Sequence, residues 1–138
     1  MSVSEGACLC GAVRFRATAP PKWVAHCHCS ICRRAHGAAY VTWAGFLVES
    51  VAVSAGADAL TKFASTPEAT REHCMNCGSP LFFRGKRWPN EVHVARAAFP
   101  GDIGKEATAH VFFSDKASWV HVDDGLPRKG GSSGTEPL

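Results

Sequence analysis

The sequence lacks both a long hydrophobic run and a leader segment. Its first ten residues, MSVSEGACLC, contain neither a basic nor an apolar stretch, and the longest apolar run, residues 38–48, is interrupted by Thr42 and Gly45. A bilayer-spanning helix needs about 20 mostly apolar residues. These absences argue against membrane insertion and secretion, so we expect a cytoplasmic protein.

The sequence also lacks the even cysteine count of a secreted disulfide framework. It has seven cysteines, and together with the missing leader this favours metal ligands or catalytic thiols over disulfides. The formal net charge is +3, but seven thiolates holding two zinc ions would bring it to about zero. No long Lys/Arg run with interleaved aromatic residues is present either, which disfavours nucleic acid as a partner.

The pattern along the chain predicts a mostly β fold of short antiparallel strands. Polar and apolar residues alternate over residues 12–17, as in a half-buried strand. One short helix is predicted over residues 31–36, near the second cysteine group, with Ser30 as its cap and Gly37 at its end. Further strands are predicted at residues 23–27, 38–43, 47–53, 59–63, 81–83, 91–95, 109–113 and 119–122.

The length of 138 residues suits one domain, which we expect to be compact and to span residues 1–128. Residues 129–138 are rich in Gly, Ser and charge and offer almost no apolar surface, so they predict a flexible tail. Most large aromatic side chains are expected in the core because they fall in or beside the predicted strands. They are Trp43, Phe46, Phe63, Phe82, Phe83, Phe99, Phe112, Phe113 and Trp119, of which Trp119 is also a candidate wall of a functional site.

Four of the cysteines form two pairs, Cys8 with Cys10 and Cys74 with Cys77. The C-x-x-C-G spacing at Cys74 is that of a zinc knuckle, in which a turn brings two sulfurs onto one ion. If the first strand returns beside this turn, the two pairs together form a closed structural zinc site, the four-cysteine cluster. A redox-active or merely buried pair remains an alternative, since C-x-x-C also occurs in thiol oxidoreductases.

The remaining cysteines, Cys27, Cys29 and Cys32, lie in the stretch HCHCSICRR and form the three-cysteine cluster. Three protein ligands with a vacant fourth position are typical of catalytic zinc. Arg33 and Arg34 follow directly and are placed to offset negative charge or to bind a substrate carboxylate. Two alternatives stay open: metal-free reactive thiols, or a second closed site whose fourth ligand is one of the histidines His26, His28, His36 and His73.

The order CxCG, CHCSICRR, CxNCGSPLFF and FFSDKASWVHVDDGLPR closely resembles the glutathione-dependent formaldehyde-activating enzyme family, which includes centromere protein V-like domains. The resemblance implies a β-tent fold with two zinc ions. It implies a structural zinc at Cys8, Cys10, Cys74 and Cys77, and a catalytic zinc at Cys27, Cys29 and Cys32. The activity implied is that of a carbon–sulfur lyase that reversibly joins glutathione and formaldehyde to S-hydroxymethylglutathione.

The mechanism expected from this resemblance uses zinc to bind the glutathione sulfur and present it as a thiolate to the aldehyde carbon. His28 or His36, close to the three-cysteine cluster in sequence, is the candidate group for protonating the alkoxide. Two other interpretations remain. One is a non-catalytic zinc module that binds another macromolecule, and the other is an enzyme that uses the same open zinc on a different thiol or electrophile.

Overall fold

The computed structural model describes residues 2–138, and within them the protein is mostly β with one α-helix, α1 (Ser30–His36). Short 3-10 helices cover Val48–Ser50, Ala57–Ala59, Arg96–Ala98 and Phe113–Asp115. The strands are β1 (Ser2–Ala7), β2 (Arg14–Ala19), β3 (Trp23–Cys27), β4 (Val41–Leu47), β5 (Val51–Ala55), β6 (Leu60–Thr66), β7 (Ala69–Cys74), β8 (Pro80–Gly85), β9 (Glu91–Ala95), β10 (His110–Val111), β11 (Lys129–Gly130) and β12 (Glu136–Pro137).

The chain divides into two compact units. Unit 1 contains residues 2–23 and Ala44–Lys105, and unit 2 contains Val24–Trp43 and Glu106–Leu138. Across residues 2–138, no helix is both long and apolar enough to cross a membrane. The expectation of one domain over residues 1–128 stays a prediction.

Unit 1 is built from antiparallel strands. One sheet has the order β1-β2-β5, and β6, β7, β8 and β9 lie side by side in chain order. The predicted alternation in β2 is confirmed, because Phe15 and Ala17 are buried while Arg14 and Arg16 are exposed. The Phe15 ring meets Phe82 edge to face at a centroid distance of 5.0 Å. Burial of such a side chain contributes roughly 2–3 kcal/mol to folding.

Unit 2 carries the predicted helix and a parallel strand pair. Gly37 ends α1 in the left-handed conformation at φ 59°, which confirms the sequence prediction. The cap prediction was wrong by one position, because Cys29 is the N-cap residue and Ser30 is already helical. The pairing of β10 with β3 is parallel, not antiparallel as expected. No tight turn joins these two strands, since they are far apart in the chain, so their relative direction is not fixed by a hairpin.

Four of the strands in residues 2–138 lie outside the predicted segments, namely β1, β7, β11 and β12, and one predicted strand is absent. Strands β1 and β7 have the sequences SVSEGA and ATREHC, which contain few β-branched or aromatic residues. Their pairing with neighbouring strands overrides this weak local preference. Residues 119–122 form no strand.

The C-terminal segment 129–138 contains the small antiparallel pair β11–β12. The carbonyl of Gly134 accepts a hydrogen bond of 2.7 Å from the N–H of Phe112, and the N–H of Gly131 donates to Ser114 Oγ at 2.9 Å. These bonds attach the segment to the rest of unit 2. The flexibility expected from its composition stays a prediction.

The expectation of an aromatic core holds for four of the nine rings named from the sequence, while Phe83, Phe112 and Phe113 are only partly buried. Trp43, Phe46, Phe82 and Phe99 are buried. Phe63 and Trp119 are instead 61% and 68% exposed, so they are surface residues within their units.

Candidate metal centres

The four-cysteine cluster is assembled in unit 1 by two similar turns. Cys8 follows the last residue of β1, and Cys74 is the last residue of β7. Each turn closes with a glycine at φ +79°, Gly11 in the first and Gly78 in the second. The N–H of Gly11 donates to the Cys8 carbonyl at 3.1 Å, and that of Gly78 donates to the Cys74 carbonyl at 2.8 Å. The positive φ explains the glycine after the last cysteine of each pair.

The distances between the four sulfurs fit a tetrahedral metal ion. The Sγ atoms of Cys8 and Cys10 are 3.6 Å apart, and those of Cys10 and Cys74 are 3.8 Å apart. All four sulfurs, including that of Cys77, lie within 4.8 Å of one another. With zinc–sulfur bonds of about 2.3 Å, the edges of the tetrahedron are about 3.8 Å. The residues present therefore fit zinc, and the predicted convergence of the two pairs is what the structure shows.

Neighbouring groups shift the pKa values of Cys77 and Cys10 in opposite directions. The Ser79 hydroxyl, 3.1 Å from Cys77 Sγ, and the Ser79 N–H lower the pKa of Cys77 to about 5. For Cys10, the Ala12 N–H lowers the pKa, but burial and the nearby thiols outweigh it and raise the pKa to about 11. Without a cation, the crowded sulfurs oppose further ionisation after the first thiolate forms. A bound metal ion relieves that repulsion.

The three-cysteine cluster lies in unit 2, where β3 ends and α1 begins. Cys27 is the last residue of β3, Cys29 is the N-cap residue, and Cys32 is buried within α1. The sulfurs of Cys27 and Cys32 are 3.8 Å apart, which matches the edge of a zinc–sulfur tetrahedron. A hydrogen bond with Cys32, together with burial, raises the pKa of the Cys29 thiol above its ordinary value.

The sulfurs of the three-cysteine cluster lie less close together than the sulfurs of the four-cysteine cluster. Among residues 2–138, the three sulfurs of the three-cysteine cluster are not a group whose atoms all lie within 4.8 Å of one another. Two of them, on Cys27 and Cys32, fit the tetrahedral edge. A metal ion bound by all three therefore requires movement of at least one cysteine side chain.

The arginine after this cluster is engaged by backbone carbonyls. Arg33 Nε donates to the His28 carbonyl at 3.3 Å, and Arg33 Nη2 donates to the Asp115 carbonyl at 3.0 Å. The backbone N–H of Arg33 also donates to the Cys29 carbonyl at 2.9 Å. Arg33 thus holds the loop around the cluster in place, whereas Arg34 is exposed.

The histidines considered as a fourth ligand have different surroundings. His28 is fully buried, and burial lowers its pKa to about 4. The His26 Nδ1 atom lies 2.8 Å from Thr42 Oγ1. His36, at the end of α1, meets the Trp43 ring edge to face at 5.0 Å, and His73 is a residue of β7 in unit 1.

The sequence patterns predicted no role for His110 and Asp124. His110 Nε2 lies 2.8 Å from Asp124 Oδ2, and His110 Nδ1 lies 2.9 Å from His28 Nε2. His26, His110 and Asp124 form a second group of ligand atoms within 4.8 Å of one another. His28 and His110 are 82 positions apart, so no local spacing could reveal this pairing.

Comparison with known proteins identifies the family. The model of the glutathione-dependent formaldehyde-activating enzyme family matches residues 3–115, which include all seven cysteines. The chain belongs to the glutathione-dependent formaldehyde-activating enzyme family. The resemblance found in the cysteine pattern is thereby confirmed. Asp124 lies beyond the matched residues.

Individual relatives agree with this membership of the glutathione-dependent formaldehyde-activating enzyme family. A Halomonas elongata protein named "Putative glutathione-dependent formaldehyde-activating enzyme" is 32% identical over 127 residues. The alignment covers 86% of this chain and 80% of that protein. An uncharacterized lyase of Schizosaccharomyces pombe is 29% identical over 112 residues, covering 81% of this chain and 80% of that protein. A Rhodobacter sphaeroides protein of known crystal structure aligns with a TM-score of 0.60 at 27% identity, covering 75% of this chain and 96% of that one.

Proposed function

We propose that this protein is a zinc-dependent carbon–sulfur lyase acting on an adduct of glutathione and an aldehyde, such as S-hydroxymethylglutathione. The observation that carries the proposal is the family match over residues 3–115, because that span includes both cysteine clusters. The names of the relatives, a glutathione-dependent formaldehyde-activating enzyme and a lyase, support the same reaction class. The cytoplasmic location and the β-tent fold expected from the sequence belong to this proposal.

The two cysteine clusters have different roles in the proposal. Cys8, Cys10, Cys74 and Cys77 hold a structural zinc, since four sulfurs leave no open position on the ion. Cys27, Cys29 and Cys32 hold a second zinc with one open position. Zinc at this second site would supply an acceptor for the glutathione sulfur and lower the pKa of its thiol.

The protein's own residues bury and hold the reacting region. Cys27 and Cys32 are 95% buried, which limits access of water to their sulfurs. The two hydrogen bonds of the Arg33 guanidinium fix the backbone at His28 and at Asp115. In the cleavage direction the carbon–sulfur bond of the adduct breaks with its electron pair going to sulfur, the hydroxyl proton passes to a histidine, and formaldehyde and the glutathione thiolate result; the thiolate then regains that proton. The histidine that receives this proton is His28 or His36.

Exchange NMR tests the activity. The rates at which the glutathione–formaldehyde adduct forms and dissociates would be measured with native protein, with a Cys32→Ser variant and without protein, because the adduct also forms spontaneously. We expect native protein to raise both rates equally and the variant to remove most of that increase. Rates equal to the spontaneous ones, in a protein shown to contain zinc at both clusters, would overturn the proposal. A panel of other thiols and aldehydes would then test for a different substrate.

A further inference from the structure

A buried chain of hydrogen bonds in unit 2 connects the exposed carboxylate of Asp124 to His28, which lies between two residues of the three-cysteine cluster in the chain. Asp124, whose side chain is 42% exposed, contacts His110 Nε2 through both carboxylate oxygens, at 2.8 and 3.1 Å. The other ring nitrogen of His110 lies 2.9 Å from His28 Nε2. Both rings are fully buried. The order of the chain is therefore Asp124, His110, His28.

The carboxylate determines which nitrogen of each ring carries the proton. Asp124 Oδ1 already accepts a hydrogen bond of 3.0 Å from the N–H of Leu126, which favours the ionised carboxylate. An ionised carboxylate only accepts, so His110 Nε2 must donate and carries the proton. In the neutral ring, His110 Nδ1 is then an acceptor, and His28 Nε2 must carry the proton that it donates to it. His28 Nδ1 is left with a bare lone pair.

That lone pair is buried and has no partner. Among residues 2–138, His28 Nδ1 is one of two buried side-chain nitrogen or oxygen atoms without a hydrogen bond to a protein group. The ring is held on several sides, by Tyr40 at 4.9 Å and by Phe113 at 5.0 Å. A buried acceptor without a donor is costly, so native proteins retain one mainly where a ligand or a water completes it. His28 lies between Cys27 and Cys29 in the chain, so a molecule bound at the three-cysteine cluster is the candidate donor.

We propose that Asp124 and His110 are positioning residues that fix the tautomer of His28, and that His28 Nδ1 accepts a hydrogen bond from the hydroxyl group of the thiol–aldehyde adduct. This inference rests on the proposed function, because the adduct supplies the hydroxyl. Of the two histidines that are candidates for receiving the hydroxyl proton, the inference selects His28. His36 instead packs against Trp43 at the end of α1.

A metal ion at His26, His110 and Asp124 would require the opposite tautomers. His110 Nε2 would then direct its lone pair at the ion, and His110 Nδ1 would donate to His28 Nε2. The proton on His28 would lie on Nδ1, as a buried donor without a partner. The two arrangements therefore differ at one observable atom, the nitrogen of His28 that carries the proton.

Long-range ¹H–¹⁵N NMR on the zinc-loaded full chain tests the tautomers. We expect both His28 and His110 to carry their protons on Nε2. In Asp124→Asn, whose amide can donate as well as accept, we expect a mixture of tautomers at both rings. Asp124→Glu should restore the native pattern, and Asp123→Asn, a change at the neighbouring exposed carboxylate, should leave it unaltered. A proton on His28 Nδ1 in the native protein would overturn the inference.

Two stable analogues test the missing donor. S-(2-hydroxyethyl)glutathione carries a hydroxyl where S-propylglutathione carries a methyl group. We expect the first to bind about fivefold more tightly, the effect of one neutral hydrogen bond, and to shift the His28 Nδ1 resonance, which S-propylglutathione should not shift. In Asp124→Asn the affinity ratio should fall to about one. Equal affinities in the native protein, with an unshifted resonance, would overturn the inference and leave the proposed function standing. Failure of both analogues to bind would overturn the inference and the proposed function together.

Discussion

At the scale of single residues, Ser79 connects the two turns of the four-cysteine cluster. Its hydroxyl accepts a hydrogen bond of 2.9 Å from the N–H of Leu9 and lies 3.1 Å from Cys77 Sγ, to which it donates. Its carbonyl accepts from the N–H of Cys74 at 3.0 Å. Ser79 therefore holds the first cysteine turn against the second and also stabilises one thiolate. The spacing of the cysteines alone does not indicate this role of Ser79.

The substitution Ser79→Ala is expected to weaken zinc binding at the four-cysteine cluster by about tenfold, since outer-shell hydrogen bonds typically tune metal affinity by that order. Competition with a chromophoric chelator would measure the affinity. Ser54→Ala, a substitution at an exposed residue of β5, is the matched control and should change nothing. Equal affinities in native protein and Ser79→Ala would show that the hydroxyl does not support the site.

His93 makes stability depend on pH through burial. It is 95% buried, lies 3.0 Å from Glu91 Oε1 and packs against the Trp23 ring at 4.6 Å. Burial lowers the pKa of His93 and outweighs Glu91, which raises it. The unfolded chain therefore binds a proton more readily than the folded one. This contribution to stability is present above the unfolded pKa of about 6.5 and is lost as the pH falls below it.

We expect the free energy of unfolding to fall between pH 7.5 and pH 5.5 less steeply in His93→Gln than in the native protein. Urea denaturation of both zinc-loaded proteins at the two pH values would measure the difference. The same pH dependence in both would mean that His93 contributes nothing to it. The overall stability of the variant is expected to be lower at either pH, because the rings around His93 lose a packing partner.

At the scale of elements, two glycines with positive φ allow the effect of backbone strain on stability to be distinguished from its effect on zinc binding. Gly78 closes a cysteine turn at φ +79°, and Gly37 ends α1 at φ +59°. An added Cβ meets no atom within 4 Å at either position, so alanine would bring only the conformational penalty. The pair tests whether the turn geometry itself supports the zinc site.

We expect Gly78→Ala and Gly37→Ala each to lower the free energy of unfolding by about 1 kcal/mol, the cost of a left-handed alanine. Only Gly78→Ala should also weaken zinc binding, because it distorts the turn that places Cys77. Denaturant unfolding and chelator competition would measure the two effects. A comparable loss of zinc affinity in Gly37→Ala would attribute the effect to general destabilisation.

Local patterns predicted the elements well where the sequence itself carries the signal. The strands β3 and β9 and the end of α1 at Gly37 lie where alternation and turn chemistry placed them. The polar strands β1 and β7 were missed because tertiary pairing, not propensity, makes them strands. The cap of α1 was misplaced because Cys29 takes the capping position without a side-chain hydrogen bond, which removes the usual cue.

The same distinction applies to the sites. The spacing of Cys74 and Cys77 and the glycine after each pair predicted the four-cysteine cluster, since both turns are local. The hydrogen bonds from Asp124 to His110 and from His110 to His28 were beyond sequence reasoning. His110 and His28 are 82 positions apart, and the parallel pairing of β10 with β3 brings their segments side by side. Long-range pairing therefore determines which histidines can form the proposed chain of hydrogen bonds.

At the scale of the whole molecule, the two cysteine clusters should affect different properties. The substitution Cys77→Ser removes one of the four proposed zinc ligands, which connect the end of β1 with the end of β7, so we expect a large loss of thermal stability. Cys32→Ser should lower the melting temperature much less while removing most of the activity. Calorimetry of both variants beside the native protein would measure this. A Cys32→Ser variant as unstable as Cys77→Ser would show that the three-cysteine cluster is structural.

The zinc content per chain is a direct test of whether the three-cysteine cluster holds a zinc ion with a position open to a thiol. Elemental analysis would be done on native protein and Cys32→Ser, purified under reducing conditions and resupplied with zinc, before and after dialysis against excess glutathione. We expect two zinc ions in native protein, one of them labile to glutathione, and one resistant ion in Cys32→Ser. A single ion in both proteins, unaffected by glutathione, would contradict this expectation.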